Sequence, residues 1–457
     1  MKIVVLGGSP KGETSVTMQY VKYIQQEFPQ HEFRTFQVAQ LINVLEKSSE
    51  ELEDIIAHVK SCDGVLWAFP LYVFLVSSQY KRFIELIMER GAREAFKNKH
   101  AVCLSTSIHF FDHTAHNYMH AICDDLDMKF VGSFSAGMRD LLKSHGQRNI
   151  RLFAKSFFDA VEKKIEPAKS YQPIQWDSFA YLPSADTSQK LQTSKKITVL
   201  TDSEEGNVGM MIKQFSDLFV NRVEIINLNK VDIKGGCLGC LRCGKQNVCA
   251  YTGKDGFIDM YNGKLKTSDI LVFAGAMRDR YLSAKWKQFF DRSFFNTHQR
   301  SLAGKQFVFL ISGPLSQVTN LREILTAYVE WQNSNLVDII TDESHSSSQI
   351  DRAIGGMAER CVQFAESGYL RPATFLGIGG MKIFRDDIWG PLRVVFKADH
   401  KEYKKSGIYD FPQRKVLRNI FVRIMWLVTG IPWIYKKMIK NFTEFMIMPY
   451  RRVLKTE

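Results

Sequence analysis

No stretch of about 20 consecutive apolar residues occurs in the 457-residue sequence, which excludes a plain membrane-spanning helix. A leader is equally hard to find. Met1 runs straight into the strand-like Lys2-Ile3-Val4-Val5-Leu6, and eight cysteines without a secretion signal suit a reducing compartment, so a cytoplasmic location is expected. The glycines after that first strand follow neither the G-x-G-x-x-G spacing nor the phosphate loop that ends in Gly-Lys-Ser/Thr, which argues against a dinucleotide or a triphosphate there. No recognisable nucleic-acid-binding module occurs, and the net charge of +13 is too uneven to serve one. From residue 381 onward 17 Lys and Arg stand against 7 Asp and Glu, so the tail carries +10 and the remainder only +3.

What the sequence does contain is a repeated α/β pattern. Over 1–165 the strand-like segments Lys2–Leu6, Glu32–Gln37, Gly64–Phe69, Ala101–Ser105 and Lys129–Ser135 are separated by helical patterns at Ser15–Phe28, Glu50–Ser61, Ser77–Arg90 and His116–Leu126. Strands spaced by helices of this length predict right-handed crossovers and a parallel sheet. Residues 166–194 lack periodicity and read as a linker, after which the pattern restarts over 195–375. Cys62-Asp63-Gly64-Val65-Leu66 lines up with Ser268-Asp269-Ile270-Leu271-Val272, and Tyr80-Lys81-Arg82-Phe83 with Trp286-Lys287-Gln288-Phe289. The expected architecture is two tandem doubly wound α/β domains, then a basic, mostly helical extension from 376 to 457.

Chemistry is concentrated in a few loops. Cys237, Cys240, Cys243 and Cys249 fall within thirteen residues, and the compact C-x2-C-x2-C run suits a cubane iron–sulfur cluster; zinc, free thiols or a redox disulfide are the alternatives. Cys62, Cys103, Cys123 and Cys361 are expected to be small buried residues. The loop Gly7-Gly8-Ser9-Pro10-Lys11-Gly12-Glu13-Thr14-Ser15 joins a strand to a helix N-terminus, an arrangement that suits a monophosphate and equally an ordinary turn. The loops Phe69–Phe74 and Ser105–Phe110 follow neighbouring strands and belong at the same sheet edge, where open α/β sheets bind ligands. His109, His113, His116 and His120 recur at helical spacing, which solvates a helix face or, less simply, binds a metal.

The motifs Gly8-Ser9-Pro10-Lys11, Pro70-x-Tyr72 and Lys81-x-Phe83-x-Glu85 resemble the flavodoxin-like NAD(P)H-dependent FMN reductase and quinone reductase superfamily. The cysteine run followed by Lys254-Asp255-Gly256-Phe257 resembles its iron–sulfur flavoprotein branch. The resemblance covers 1–165 and about 195–345. It implies FMN in the first domain, with its phosphate on Ser9, Lys11, Ser15 and Thr17. It places the flavin ring against Pro70, Leu71, Tyr72, Val73, Ser105, Thr106, Ser107 and His109. It further implies NAD(P)H as reductant, a 4Fe-4S cluster on the four cysteines, and a small organic acceptor such as a quinone or an aromatic enone. The two-domain layout is similar to that expected of flavone-type ene-reductases of anaerobic gut bacteria. An electron-transfer or redox-sensing flavoprotein that serves a protein partner is the alternative.

Domain two departs from this pattern, because Asp202, Glu204 and Glu205 occupy the loop where a phosphate would sit and Ala276-Met277-Arg278 replaces Pro70-Leu71-Tyr72. The expectation is one redox centre per domain, as in a fused and divided homodimer, with the cluster facing the flavin across the interface. His109, Tyr281 and Arg278 are the candidate catalytic residues: the imidazole and phenol as proton donors, the guanidinium for a phosphate or phenolate. Surface ion pairing is the plainer reading of Arg278–Tyr281 and of Arg385–Trp389. The tail around Ile420–Tyr435 is apolar but broken by Arg423, Gly430 and Pro432. It is expected to wrap the enzyme, close over the active site or join subunits into a homo-oligomer; lying on an anionic membrane surface is the less favoured use.

Overall fold

The computed structural model describes residues 1–184 and 190–441. By its contacts the chain divides into a large compact unit, Met1–His400, and a small one, Lys401–Glu457.

The large unit contains two parallel sheets of the same topology. In the first half β1 (Lys2–Gly7), α1 (Val16–Glu27), β2 (Glu32–Phe36), α2 (Val38–Leu45), α3 (Ser49–Ser61), β3 (Gly64–Pro70) and α4 (Ser78–Glu89) are followed by β4 (His100–Ser107), α5 (Asp112–Asp125), β5 (Lys129–Gly137) and α6 (Ser144–Glu162). The strand order is β2-β1-β3-β4-β5, the flavodoxin-like winding. The second half repeats it with β6 (Ile197–Thr201), α7 (Gly206–Asp217), β7 (Glu224–Asn227), α8 (Phe257–Met260), β8 (Ile270–Ala276), α9 (Ala284–Ser293), β9 (Gln306–Ser312), α10 (Thr319–Trp331), β10 (Asn335–Thr341) and α11 (Ser347–Ser367). Its order, β10-β9-β8-β6-β7, is the same winding.

Both sheets are covered on two faces, which is why Gly64–Phe69 and Ile270–Gly275 are buried without alternation. Helix α1 presents Thr17, Met18, Tyr20, Val21 and Ile24 to the first core at helical spacing. The repeat extends to edge details: the Lys2 amide donates to Asp63 Oδ2 at 2.7 Å, and the Lys196 amide to Asp269 Oδ2 at 2.8 Å. The four scattered cysteines are buried. The linker is strapped down rather than loose, since the amides of Ser170 and Tyr171 both donate to Asp124 at 2.9 Å.

Three features differ from the sequence expectations. Helices α2 and α6 form where no helix was expected. Helix α5 starts at Asp112, four residues before the expected start, because Phe111 (φ 53°) turns the chain directly into it. Residues 375–400 belong to the large unit: α12 (Phe375–Trp389) begins with its Thr374 amide donating to Glu330 at 2.8 Å. Helix α13 (Lys397–Lys405) spans the boundary, and α14 (Val416–Thr429) and α15 (Pro432–Lys440) belong to the small unit. Residues 442–457 of the basic extension lie outside the described residues.

Candidate functional site

Strands β1, β3 and β4 are adjacent, so the three loops at their carboxyl ends meet at one sheet edge, beside the point where the strand order reverses. The first loop is compact. The Lys11 amide donates to Ser9 Oγ at 3.2 Å, the Gly12 amide to Ser9 O at 3.0 Å, and Ser15 caps α1 by accepting from the Met18 amide at 3.3 Å. Ser9 and Ser15 are buried, yet each hydroxyl keeps its own hydrogen to donate, while Lys11 is exposed. Gly8 is required on packing grounds: a Cβ there would lie 2.7 Å from the Tyr80 ring and 2.9 Å from Phe69 Cβ. Thr17 is fully buried, and its hydroxyl is shared with Thr106 at 2.6 Å, a brace between α1 and β4.

The second loop is a tight turn. Tyr72 and Leu75 exchange both backbone hydrogen bonds, at 2.8 and 2.9 Å, which forces Val73 (φ 31°) and Phe74 (φ 66°) into the left-handed region. A β-branched residue there is strained. The surroundings hold it: Phe74 is buried among Phe110, Phe111 and Tyr328, its carbonyl accepts from Thr114 at 2.6 Å, and Lys287 of the second domain donates to the Tyr72 carbonyl at 3.0 Å.

In the third loop the His109 amide donates to Ser107 Oγ at 2.9 Å, and the exposed imidazole pairs through Nδ1 with Asp112 at 2.8 Å. Burial opposes ionisation of Asp112, but the hydrogen bonds from Ser135 and His109 outweigh it and hold the carboxyl below its ordinary value. Beneath the loop His116 Nε2 meets Ser105 Oγ at 2.7 Å, and burial pushes its pKa down to about 4, so it is neutral at pH 7. Helix α12 covers this loop: Gly380 packs so closely that a Cβ would lie 2.7 Å from the Phe110 ring, and Phe384 lies 4.4 Å from that ring.

The cysteine loop of the second domain sits directly on the Tyr72 loop. Gly239 (φ 61°) lies so close that a Cβ would be 2.2 Å from the Tyr72 hydroxyl and 3.2 Å from Lys11 Cε, and Gln79 donates to the Cys237 carbonyl at 3.2 Å. All four cysteines line one small cavity of about 20 Å³ with Tyr251, Arg292, Phe294 and Phe295. Buried Arg292 clamps both ends of the loop, donating to Gly235 O at 2.9 Å and bidentately to Asp255 at 2.8 and 3.0 Å, with its guanidinium 4.1 Å from the Tyr251 ring centre. Burial, then the charges of Asp291 and neighbouring thiols, pushes Cys237 up to about 12; burial, then neighbouring cysteines, does the same to Cys243. Such thiols stay protonated at neutral pH unless a cation takes them. Among the described residues no three His, Cys, Asp or Glu side chains come together closely enough for a single metal ion, in the histidine stripe or here. The four thiols nevertheless line the same small cavity, the kind of soft donor set that suits iron or zinc.

A pseudo-twofold pairing of α4 with α9 joins the halves. Glu85, paired with Lys81 at 2.7 Å, accepts from the Ala284 amide at 2.6 Å, and Asp291, paired with Lys287, accepts from the Ser78 amide at 2.7 Å. Each carboxylate thus caps the other domain's helix. Lys81 also meets Asp279 at 3.1 Å. Burial works against the Lys81 charge, but the two carboxylates outweigh it and raise its pKa; with Asp291 as its one carboxylate, Lys287 is pushed down by burial.

The other candidates are placed as follows. Tyr281 is buried, 6.4 Å from Tyr118, and burial followed by the Asp291 charge raises its phenol above the ordinary value. Arg278 is exposed on the same loop, whereas Arg280 is the buried guanidinium, held by Asp125 at 2.8 and 2.6 Å. Where domain one places the Gly8 backbone, domain two places Asp202, whose carboxylate accepts from Ser283 and from Trp286 Nε1 at 3.0 Å; burial raises its pKa. Arg385 pairs with Asp386 at 2.8 Å. Arg292, Lys287, Asp291 and Gln79 were not anticipated. Only Lys287 and Asp291, four apart on one helix, left a sequence signal.

Residues 1–139 match the family of NADPH-dependent FMN reductases. The match spans the first sheet and the three loops at its edge. No curated protein matches the chain. Among solved structures it is similar to a flavoenzyme NAD(P)H:acceptor oxidoreductase from Paracoccus denitrificans, at 17% identity over 35% of this chain and 97% of that one (TM-score 0.31). It is also similar to an FMN-dependent NADH-azoreductase from Bacillus anthracis, at 14% identity over 36% of this chain and 99% of that one (TM-score 0.26).

Proposed function

We propose that the protein is an NAD(P)H-dependent FMN oxidoreductase that passes electrons to a small organic acceptor, with one FMN in the first domain and an iron–sulfur cluster in the second. The observation that carries this reading is the family match over 1–139, a span that includes all three loops gathered at the β1-β3-β4 edge. FMN supplies the exchange between two-electron and one-electron chemistry when bound. Ser9, Ser15 and Lys11 would hold its phosphate at the α1 N-terminus, with Thr17 and Thr106 bracing one another beside them. Pro70, Leu71, Tyr72 and Val73, with the 105–109 loop, would bound the ring, and the strained turn fixes their position against solvent. Exposed His109, oriented by Asp112, is the proton-handling group at that edge, while Tyr281 is buried and Arg278 is exposed on the same loop of the second domain. With Asp202 occupying its corresponding position, the second domain holds no flavin.

The four cysteines, fastened to the Tyr72 loop through Gly239 and Gln79, would put the cluster next to the flavin within one chain. The acceptor in this reading is a small organic molecule, a quinone or an aromatic enone. Protein purified without oxygen is expected to contain about one FMN and about four irons per chain, and to oxidise NADH or NADPH when such an acceptor is added. Protein that contains FMN but no iron would remove the cluster. Protein without flavin would remove the whole reading.

A further inference from the structure

The small unit presents an unusual surface. No residue of α14 or α15 is buried, although α14 is Val416-Leu417-Arg418-Asn419-Ile420-Phe421-Val422-Arg423-Ile424-Met425-Trp426-Leu427-Val428-Thr429. Leu417 is 85% exposed, Trp426 74%, Leu427 and Trp433 67% each, and Phe421 62%. Contiguous apolar surface of this kind is not left to water without a purpose. The charge around it has one sign: residues 411–441 contain no Asp or Glu, but Arg414, Lys415 and Arg418 at the start of α14, Arg423 within it, and Lys436, Lys437 and Lys440 on α15.

We propose that α14 and α15 dock the protein on an anionic lipid bilayer, lying in the plane of the interface. The apolar side chains supply the buried area and the cations pair with anionic headgroups. Trp426, Trp433 and Tyr435 are the residue types that sit at the headgroup boundary. Geometry decides between lying and spanning. Fourteen residues make a helix of about 21 Å, short of the roughly 30 Å hydrocarbon core, and no single helix among the described residues is long and apolar enough to cross. Taken together the two helices have the length and apolar content of a span, but they meet at 109° across Gly430 and Ile431, so they cannot continue one another as a straight one, whereas two joined helices always share a plane. A second copy of the chain would bury the apolar surface equally well but would bring seven cations against seven others, whereas anionic lipid neutralises them. The proposal does not rest on the redox reading.

The test is co-sedimentation of the full-length protein with phosphatidylcholine vesicles, with and without about 30% phosphatidylglycerol. The expected result is binding at least about tenfold tighter to the anionic vesicles, weakened about tenfold by 1 M salt, and released by alkaline carbonate. Trp426→Ser with Leu427→Ser should abolish it. Lys436→Glu with Lys437→Glu and Lys440→Glu should abolish only the preference for anionic lipid, and it leaves the apolar residues intact should the serine variant misfold. Flavin content and catalytic rate in solution should stay unchanged in both. Equal affinity for neutral and anionic vesicles, retention after carbonate, or self-association in place of vesicle binding each overturns the proposal.

Discussion

Gly8, Arg292 and His116 show how much single residues fix at this site. Because a Cβ on Gly8 would strike the Tyr80 ring and Phe69, Gly8→Ala is expected to cost about 1–3 kcal/mol. It should also displace the phosphate loop, lowering both the melting temperature and the FMN retained on gel filtration. Arg292→Met leaves Asp255 buried without its cation and should cost about 3–5 kcal/mol in denaturant unfolding, with loss of whatever iron the loop holds. His116 gives a pH dependence whose sign follows from its depressed pKa. The unfolded chain binds this proton below pH ~6.5 and the folded one only near 4, so stability falls as pH drops through that window, by about 3 kcal/mol at most. His116→Gln should flatten that part of the stability profile, and an unchanged slope would assign it to other groups.

Among elements, the pairing of α4 with α9 carries the most information. Neither helix caps its first turn wholly from its own chain neighbourhood; each receives a carboxylate from the other domain. Asp291→Ala therefore strands buried Lys287 and leaves Ser77 as the one side-chain cap of α4, which predicts a loss of about 3–5 kcal/mol. Lys287→Met together with Asp291→Leu should recover a large part of it, a difference that a double-mutant cycle in urea would measure. The same substitutions also untie Lys287 from the Tyr72 carbonyl, so the double variant should keep stability while losing flavin affinity. The strands and most crossover helices of the first half, and those of the second through β9, were legible in the sequence because a period of 2 or 3.6 and a buried run are local signals, whereas α10, β10 and α11 were not read from it. Helices α2 and α6 were not, since nothing in Val38–Leu45 distinguishes a helix from a buried strand until it packs beside α4.

At the scale of the whole molecule the chain behaves as an internal dimer whose two ligand edges have diverged. Asp202→Ser, which removes the carboxylate from the second edge, should leave the FMN content near one per chain, because the loop there also lacks Ser9, Lys11 and the 70–73 turn; a rise toward two, read from absorbance, would show that charge alone keeps the second edge empty. The extension also divides in two. Its first stretch, through α12, closes over the His109 loop as part of the large unit, while α14 and α15 present apolar surface of their own.

By itself the sequence determined the repeat, the parallel winding, the phosphate-type loop and the cysteine spacing, because each depends on residues close together in the chain. Only the tertiary structure decided that Gly239 rests on Tyr72, that Arg292 clamps the cysteine loop, and that Asp202 takes Ser283 and Trp286. These contacts join residues scores to hundreds of positions apart. Steric fit and the burial of charge select them, and neither leaves a periodic trace in the chain.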